Sequence, residues 1–140
     1  MKVELITPES APSRLLRKWR LIQFPQLTMP LLAAYTPPDI ELHHTDEIVD
    51  PVDLDRDADL VALTCNTPAA AHVYRLADAL RARGRRVVLG GPHVTALPWE
   101  AIRHADAIVT GEGESVWPEL LRDFAPVSYT HLTLPTILRV

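Results

Sequence analysis

Asp59 to Cys65 reads DLVALTC, a short and almost unbroken apolar run in which polar residues do not alternate. A strand that is apolar on both faces has to be covered on both faces, and sheets covered in that way are the parallel sheets of α/β domains. The next residues agree with this. Thr67 is suited to cap a helix and Pro68 to open it, Val73, Leu76, Ala77 and Leu80 recur at i, i+3, i+4 and i+7, and Gly84 can close it. Arg86–Leu89 then predicts another strand. Strand, helix and strand in this order imply a parallel pair joined by a helical crossover.

The rest of the chain extends the alternation. Lys2–Ile6 is a first strand that ends in the polar loop Thr7-Pro8-Glu9-Ser10. Ala11–Gln26 has no regular period and reads as a long loop or one short helix. Leu27–Tyr35 predicts a short helix stopped by Pro37-Pro38, and Ile40–Thr45 a second strand. Gly90–His93 is expected as a loop, Pro98–Ala105 as a short helix and Ala107–Thr110 as a fifth strand. After Gly111-Glu112-Gly113-Glu114, Ser115 is expected to cap a helix whose apolar stripe is Trp117, Leu120, Leu121 and Phe124. The fold class that follows is α/β and flavodoxin-like (Rossmann-like): a five-stranded parallel sheet of order 2-1-3-4-5 with helices on both faces.

A chain of 140 residues with 47% hydrophobic residues has the size and the core of one domain. Its net charge of −4 and the absence of a basic stripe argue against nucleic acid as a partner. Cys65 is the only cysteine, which excludes an internal disulfide or a thiolate metal site and suits a reducing cytoplasm. There is no apolar run of about 18 residues and no signal-peptide core, so a membrane is not expected.

In sheets of this type ligands bind outside the carboxyl ends of the strands. Four loops gather there: Thr7–Ser10, Thr64–Thr67, Gly90–His93 and Thr110–Glu114. Their chemistry is hydroxyls, glycines and backbone amides, which form a floor that a ligand can approach closely. A phosphoacceptor site would need acids after the first strand, an aspartate after the third and a lysine after the fifth, where this chain has Thr7-Pro8, Thr64 and Thr110. A flavin phosphate loop needs glycine directly after the first strand, and Thr7–Ser10 contains none. Gly111-Glu112-Gly113 starts like a dinucleotide fingerprint, but its third glycine position is Val116 and it follows the last strand. Among the histidines, His93 follows the glycine pair and could face a ligand. His43, His44, His72 and His104 fall on strand or helix positions, and no pair has metal-ligand spacing. Cys65, at the end of a buried strand, reads as an inert core thiol.

Several segments together carry a resemblance: DLVALT at Asp59–Thr64, Thr67-Pro68 opening a helix, VVLGGPHVT at Val87–Thr95, ADAIV at Ala105–Val109, and GEGE at Gly111–Glu114. In combination they resemble the cobalamin (vitamin B12)-binding domain of cobalamin-dependent radical-SAM proteins, over roughly Met1 to Phe124. The resemblance implies that the loops after the third, fourth and fifth strands bury the cofactor's nucleotide tail while the corrin ring lies across the strand ends. Thr64, Asn66 and Thr67 would then contact the tail, Gly90, Gly91 and Pro92 would line its slot, and Gly111, Glu112 and Gly113 would close it. Thr7 and Pro8 would stand at the same edge, with His93 beside the tail. A radical-SAM barrel binding S-adenosylmethionine and a 4Fe-4S cluster would follow the domain, so this chain alone is not expected to catalyse.

Two departures from the family pattern matter. Methionine-synthase-like cobalamin domains carry Asp-x-His-x-x-Gly after the first strand, the histidine binding cobalt, and none of the six histidines here has that setting. The cofactor is therefore expected base-off and without a histidine ligand. After Phe124 the sequence runs into Val127–Leu138, which continues no pattern of the fold and looks like translated adapter sequence. The expected division is a cobalamin-binding domain over 1–125 and a non-native or disordered tail over 126–140. Besides a module of a radical-SAM enzyme, such as a methyltransferase, the sequence leaves open a stand-alone cobalamin carrier or sensor and a flavodoxin-like interaction domain without cofactor.

Overall fold

In the computed structural model, residues 1–10 and 26–125 are described, together with the backbone of Thr136–Arg139. The chain forms β1 (Lys2–Thr7), α1 (Thr28–Ala34), β2 (Glu41–Asp46), β3 (Leu60–Thr64), α2 (Ala70–Ala82), β4 (Arg86–Gly90), α3 (Pro92–Ala96), α4 (Pro98–Ala101), β5 (Ala107–Thr110), α5 (Trp117–Asp123) and β6 (Thr136–Arg139). Every pairing is parallel and the sheet order is β2-β1-β3-β4-β5-β6. The expected order 2-1-3-4-5 is therefore present, with one more strand on the β5 edge.

The two apolar faces of the sheet account for this arrangement. All of β3 is buried. Alternate residues feed opposite cores, as the two-residue period of a strand requires. Ile6, Val61, Leu63, Val87, Leu89 and Ile108 pack under the stripe Val73, Ala77 and Leu80 of α2 and under Val94 and Ala101 of α3 and α4. Val3, Leu5, Ala62, Val88 and Val109 pack on the other face under Met29 and Leu32 of α1 and Trp117, Leu120, Leu121 and Phe124 of α5. β1 carries one buried acid, Glu4, which accepts a hydrogen bond from Thr45 Oγ1 at 2.8 Å and lies 3.2 Å from Arg56 Nε.

Several local expectations need correction. The segment expected as a Gly90–His93 loop enters a helix at Pro92, because proline fits the first helical position and has no N–H to leave unpaired. Thr67 does not cap the helix after β3; a 3₁₀ turn (Thr67–Ala69) comes first, no side chain caps it, and the Thr67 hydroxyl bonds the His93 ring instead. Nor does Ser115 cap α5: a 3₁₀ turn over Gly113–Ser115 precedes it, and Ser115 Oγ donates to the Glu112 carbonyl. Pro98–Ala105 divides into α4 and a 3₁₀ turn over Ile102–His104. Gly84 does close α2, at φ 78°, with Arg85 N–H returning to Leu80 O at 3.1 Å. Within the tail expected to be disordered, Thr136–Arg139 pairs with β5 from Ala107↔Thr136 to Thr110↔Arg139. The reason is the open β5 edge, whose unpaired backbone groups are a template for any extended segment. Residues 11–25, read as a loop or short helix, lie outside the described residues, as do 126–135.

Candidate functional site

A cavity of about 350 Å³ opens at the carboxyl ends of β3, β4 and β5, between the sheet and the helices α1 and α5. Its inner wall is Ala62, Val88 and Val109 from the sheet, with Met29 and Leu32 of α1 and Trp117 of α5. Its rim is Thr64, Gly90, Gly91 and Pro92 on one side and Gly111, Glu112, Gly113 and Glu114 on the other, with Thr28 and Thr95. No lysine or arginine stands among these described lining residues.

The rim is held by a tight set of contacts between neighbouring strand ends. Cys65 N–H donates to Gly90 O at 2.8 Å and His93 N–H to Cys65 O at 3.1 Å, which draws the start of α3 onto the end of β3. Gly91 lies in that crossing at φ 108° and ψ 178°, a conformation that L side chains rarely adopt. A Cβ there would stand 2.9 Å from both Cys65 N and Cys65 O and 3.0 Å from Thr64 Oγ1, so only glycine lets the two backbones approach. Gly111 also has a positive φ, 81°, and its N–H is held by Thr95 Oγ1 at 3.0 Å. The same Thr95 hydroxyl donates to Gly91 O at 3.1 Å, so one side chain ties the β4 loop to the β5 loop. Gly90 and Gly113 differ from these: an added Cβ would meet only Val109 for the first, and Leu32 and Val109 for the second, at ordinary contact distances of 3.7–3.8 Å.

The sequence-predicted site residues thus separate. Thr64, Gly90, Gly91, Pro92, Gly111, Glu112 and Gly113 are brought together on the cavity rim. Thr7 and Pro8 are buried at the end of β1 away from it, the Thr7 hydroxyl lying 3.0 Å from His44 Nε2. Asn66 stands before the turn that leads to α2, its amide 3.4 Å from Gln26 Oε1, and Thr67 is exposed. His93, expected beside a ligand tail, is buried outside the cavity. As the second residue of α3 its ring points to the α2 side, with Nδ1 3.2 Å from Thr67 Oγ1 and Nε2 3.3 Å from Glu100 Oε1. The His93 hydrogen bond is the largest influence holding the Glu100 carboxyl below its ordinary range. Burial, with the Glu100 charge adding to it, pushes the Cys65 thiol up to about 12, which leaves it an unreactive neutral group behind the rim.

Sequence reasoning did not single out the inner wall or Thr95. The wall's signal was the period-two face shared by Ala62 and Val88, which pair directly across β3 and β4, but nothing in the sequence shows which helices close over it. What the geometry offers a ligand is an apolar slot at the strand ends whose mouth carries hydroxyls, backbone groups and the carboxylates of Glu112 and Glu114.

The B12 binding domain model matches residues 33–121, which include β3 to β5 and the cavity lining apart from Thr28, Met29 and Leu32. The chain belongs to the B12-binding domain family. Among curated relatives it is 41% identical over 100 residues to bacteriochlorophyllide d C-8(2)-methyltransferase of Chlorobaculum tepidum, a match covering 71% of this chain and 22% of that protein. It is 45% identical over 65 residues to bacteriochlorophyllide d C-12(1)-methyltransferase of the same organism, covering 46% of this chain and 14% of the other. An uncharacterized methyltransferase of Pyrococcus horikoshii is 39% identical over 70 residues, covering 46% and 15%. This B12-binding domain therefore spans about a fifth or less of the curated relatives it matches. No helix among its described residues is long and apolar enough to cross a membrane.

Proposed function

We propose that this B12-binding domain holds cobalamin base-off, with the nucleotide tail in the slot, as the cofactor module of a radical-SAM methyltransferase. The observation that carries the reading is the Gly91 crossing, which leaves no room for a side chain and leads into an apolar slot of about 350 Å³. Residues 1–125 would form this module, since β1 to β5 and the described helices that cover them fall within it. The bound cofactor would supply the cobalt–carbon chemistry of methyl transfer. The chain's own residues would hold it: Thr64 and the rim backbone at the linker, and Gly90 and Gly113 where the ligand passes close to main chain. The methyltransferase relatives support the reaction class, and the resemblance to radical-SAM proteins supports a following barrel with S-adenosylmethionine and a 4Fe-4S cluster.

A base withdrawn into the slot cannot stay on cobalt, and none of the described histidines lines the cavity to replace it. His93 is turned to the opposite face and held by Thr67 and Glu100, while His44 is engaged by Thr7. The test is to incubate the purified protein with hydroxocobalamin, desalt it, reduce the bound cofactor to the cob(II) form and record its electron paramagnetic resonance. A retained corrin without axial-nitrogen triplets on the cobalt lines is expected. Triplets that vanish in His93→Ala would overturn the histidine-off assignment, and a protein that emerges free of corrin would overturn the cofactor assignment. Gly90→Leu, which fills the slot without straining the backbone, should release the cofactor while keeping the native circular dichroism.

A further inference from the structure

The slot has an unequal distribution of polar groups, and this bears on which cofactor it takes. The nucleotide's base is the far end of the tail, so if the corrin stays at the strand ends the base meets the inner wall. Ala62 stands two residues before Thr64 on β3, about 7 Å deeper. At that depth the described side chains are Ala62, Val88, Val109, Met29, Leu32 and Trp117.

The polar groups of the described residues nearest this wall are engaged within the protein. Trp117 Nε1–H donates to Thr36 Oγ1 at 2.9 Å, and the Thr36 hydroxyl donates in turn to Leu32 O at 2.9 Å, so the indole has no donor left for a ligand. Gly91 O accepts from both Thr95 N–H and Thr95 Oγ1, at 3.0 and 3.1 Å, and Gly90 O is taken by Cys65 N–H. Gly111 N–H is spent on Thr95. The side chains still able to pair with a ligand, Thr28, Thr64, Glu112 and Glu114, belong to the mouth.

We infer that this slot selects cobamides by the polarity of their lower base: it accepts benzimidazole-type bases and rejects adenine. This rests on the cobalamin reading above. An exocyclic amine and two pyrimidine-ring nitrogens, taken out of water onto this wall, find no free side-chain partner among the described residues. Buried polar groups left unpaired cost enough to weaken binding at least about tenfold. A benzimidazole has an apolar outer edge and loses nothing there.

The experiment measures affinities of the 140-residue chain by spectroscopic titration, with no catalytic readout. The ligands are cobalamin, the unsubstituted benzimidazole cobamide, the adenine cobamide and cobinamide, which lacks the nucleotide, all in their aquo or hydroxo forms. Cobalamin and the benzimidazole cobamide should both bind at least about tenfold more tightly than the adenine cobamide. The benzimidazole form separates polarity from size, since its ring is no larger than adenine. Adenine, the less basic heterocycle, also leaves cobalt more readily, so the ease of base release runs against the expected order and cannot produce it. Adenine and benzimidazole forms of equal affinity would overturn the selectivity and leave the cobalamin reading standing. So would cobinamide binding as tightly as cobalamin, because the base would then lie outside the slot. Failure of every corrinoid, cobalamin included, would overturn both.

Discussion

Replacing Gly91 and Gly90 separately by alanine tests whether the glycine pair acts through backbone geometry at one position and open space at the other. At Gly91 the φ of 108° with ψ of 178° lies in a region that is close to glycine-only, and an alanine held there costs about 1–3 kcal/mol. Its methyl would also stand 2.9 Å from Cys65 N and O, backbone atoms that are themselves bonded to Gly90 O and His93 N–H, so the strand ends must part; overpacking of this kind adds about 1–3 kcal/mol. The sum, about 2–6 kcal/mol, corresponds to a fall in thermal midpoint of roughly 6 °C at its lower end for a domain of this size. At Gly90 the methyl meets only Val109, at 3.8 Å, and the backbone is one alanine can adopt. Gly90→Ala should therefore be neutral or up to about 1 kcal/mol stabilising through the unfolded chain. The assay is thermal unfolding followed by circular dichroism, each variant beside the parent. A Gly91→Ala midpoint within about 2 °C of the parent would refute the reasoning, because neither the strain nor the close approach would then exist. A large loss in Gly90→Ala would show that the second glycine is structural as well.

Cys65 makes stability depend on pH at the alkaline end. Its folded pKa of about 12 exceeds its ordinary value near 9, so the unfolded chain loses that proton first and stability falls as pH rises from about 9 toward 12, by up to about 1.4 kcal/mol per unit; urea unfolding of the parent and Cys65→Ala at pH 8 and 10 should show a steeper decline in the parent, and equal slopes would exclude the thiol as the cause. Arg56→Met leaves Glu4, 1% exposed, with only the Thr45 hydroxyl hydrogen-bonded to it among the described side chains. Because Arg56 is itself about one-third exposed, the expected loss is about 1–3 kcal/mol by urea unfolding, below the cost of breaking a fully buried pair, and no loss would show that the Arg56 contact does not hold Glu4 in the core. Removing residues 126–140 takes β6 from the edge of the sheet, where its backbone pairs with β5 alone, so the thermal midpoint should move by no more than about 3 °C. A larger drop would mean that the β5 edge needs its cover.

Five of the six strands were legible in the sequence. The DLVALTC run can be satisfied only between two covered faces, and the Val73–Leu80 stripe ending at Gly84 supplies one of those covers, so β3, α2 and β4 were legible from periodicity. The glycine loops were legible for a related reason: glycine placed after a buried strand marks close backbone approach, and Gly91 and Gly111 do adopt the positive φ that this needs. Tertiary structure decided what lies opposite those loops. A strand pattern shows that Ala62 and Val88 share a face, but α1 and α5, far apart in the chain, meet over that face only in the folded structure, and they supply the slot's other wall through Met29, Leu32 and Trp117. Side-chain direction was hidden in the same way. His93 follows the glycine pair in sequence, yet its place in the first turn of α3 sends the ring to the α2 side, and Thr7 ends β1 yet is engaged by His44 on the neighbouring strand. Local pattern is set by which residues must leave water; which of them meet around a cavity depends on long-range packing that no short window of sequence contains.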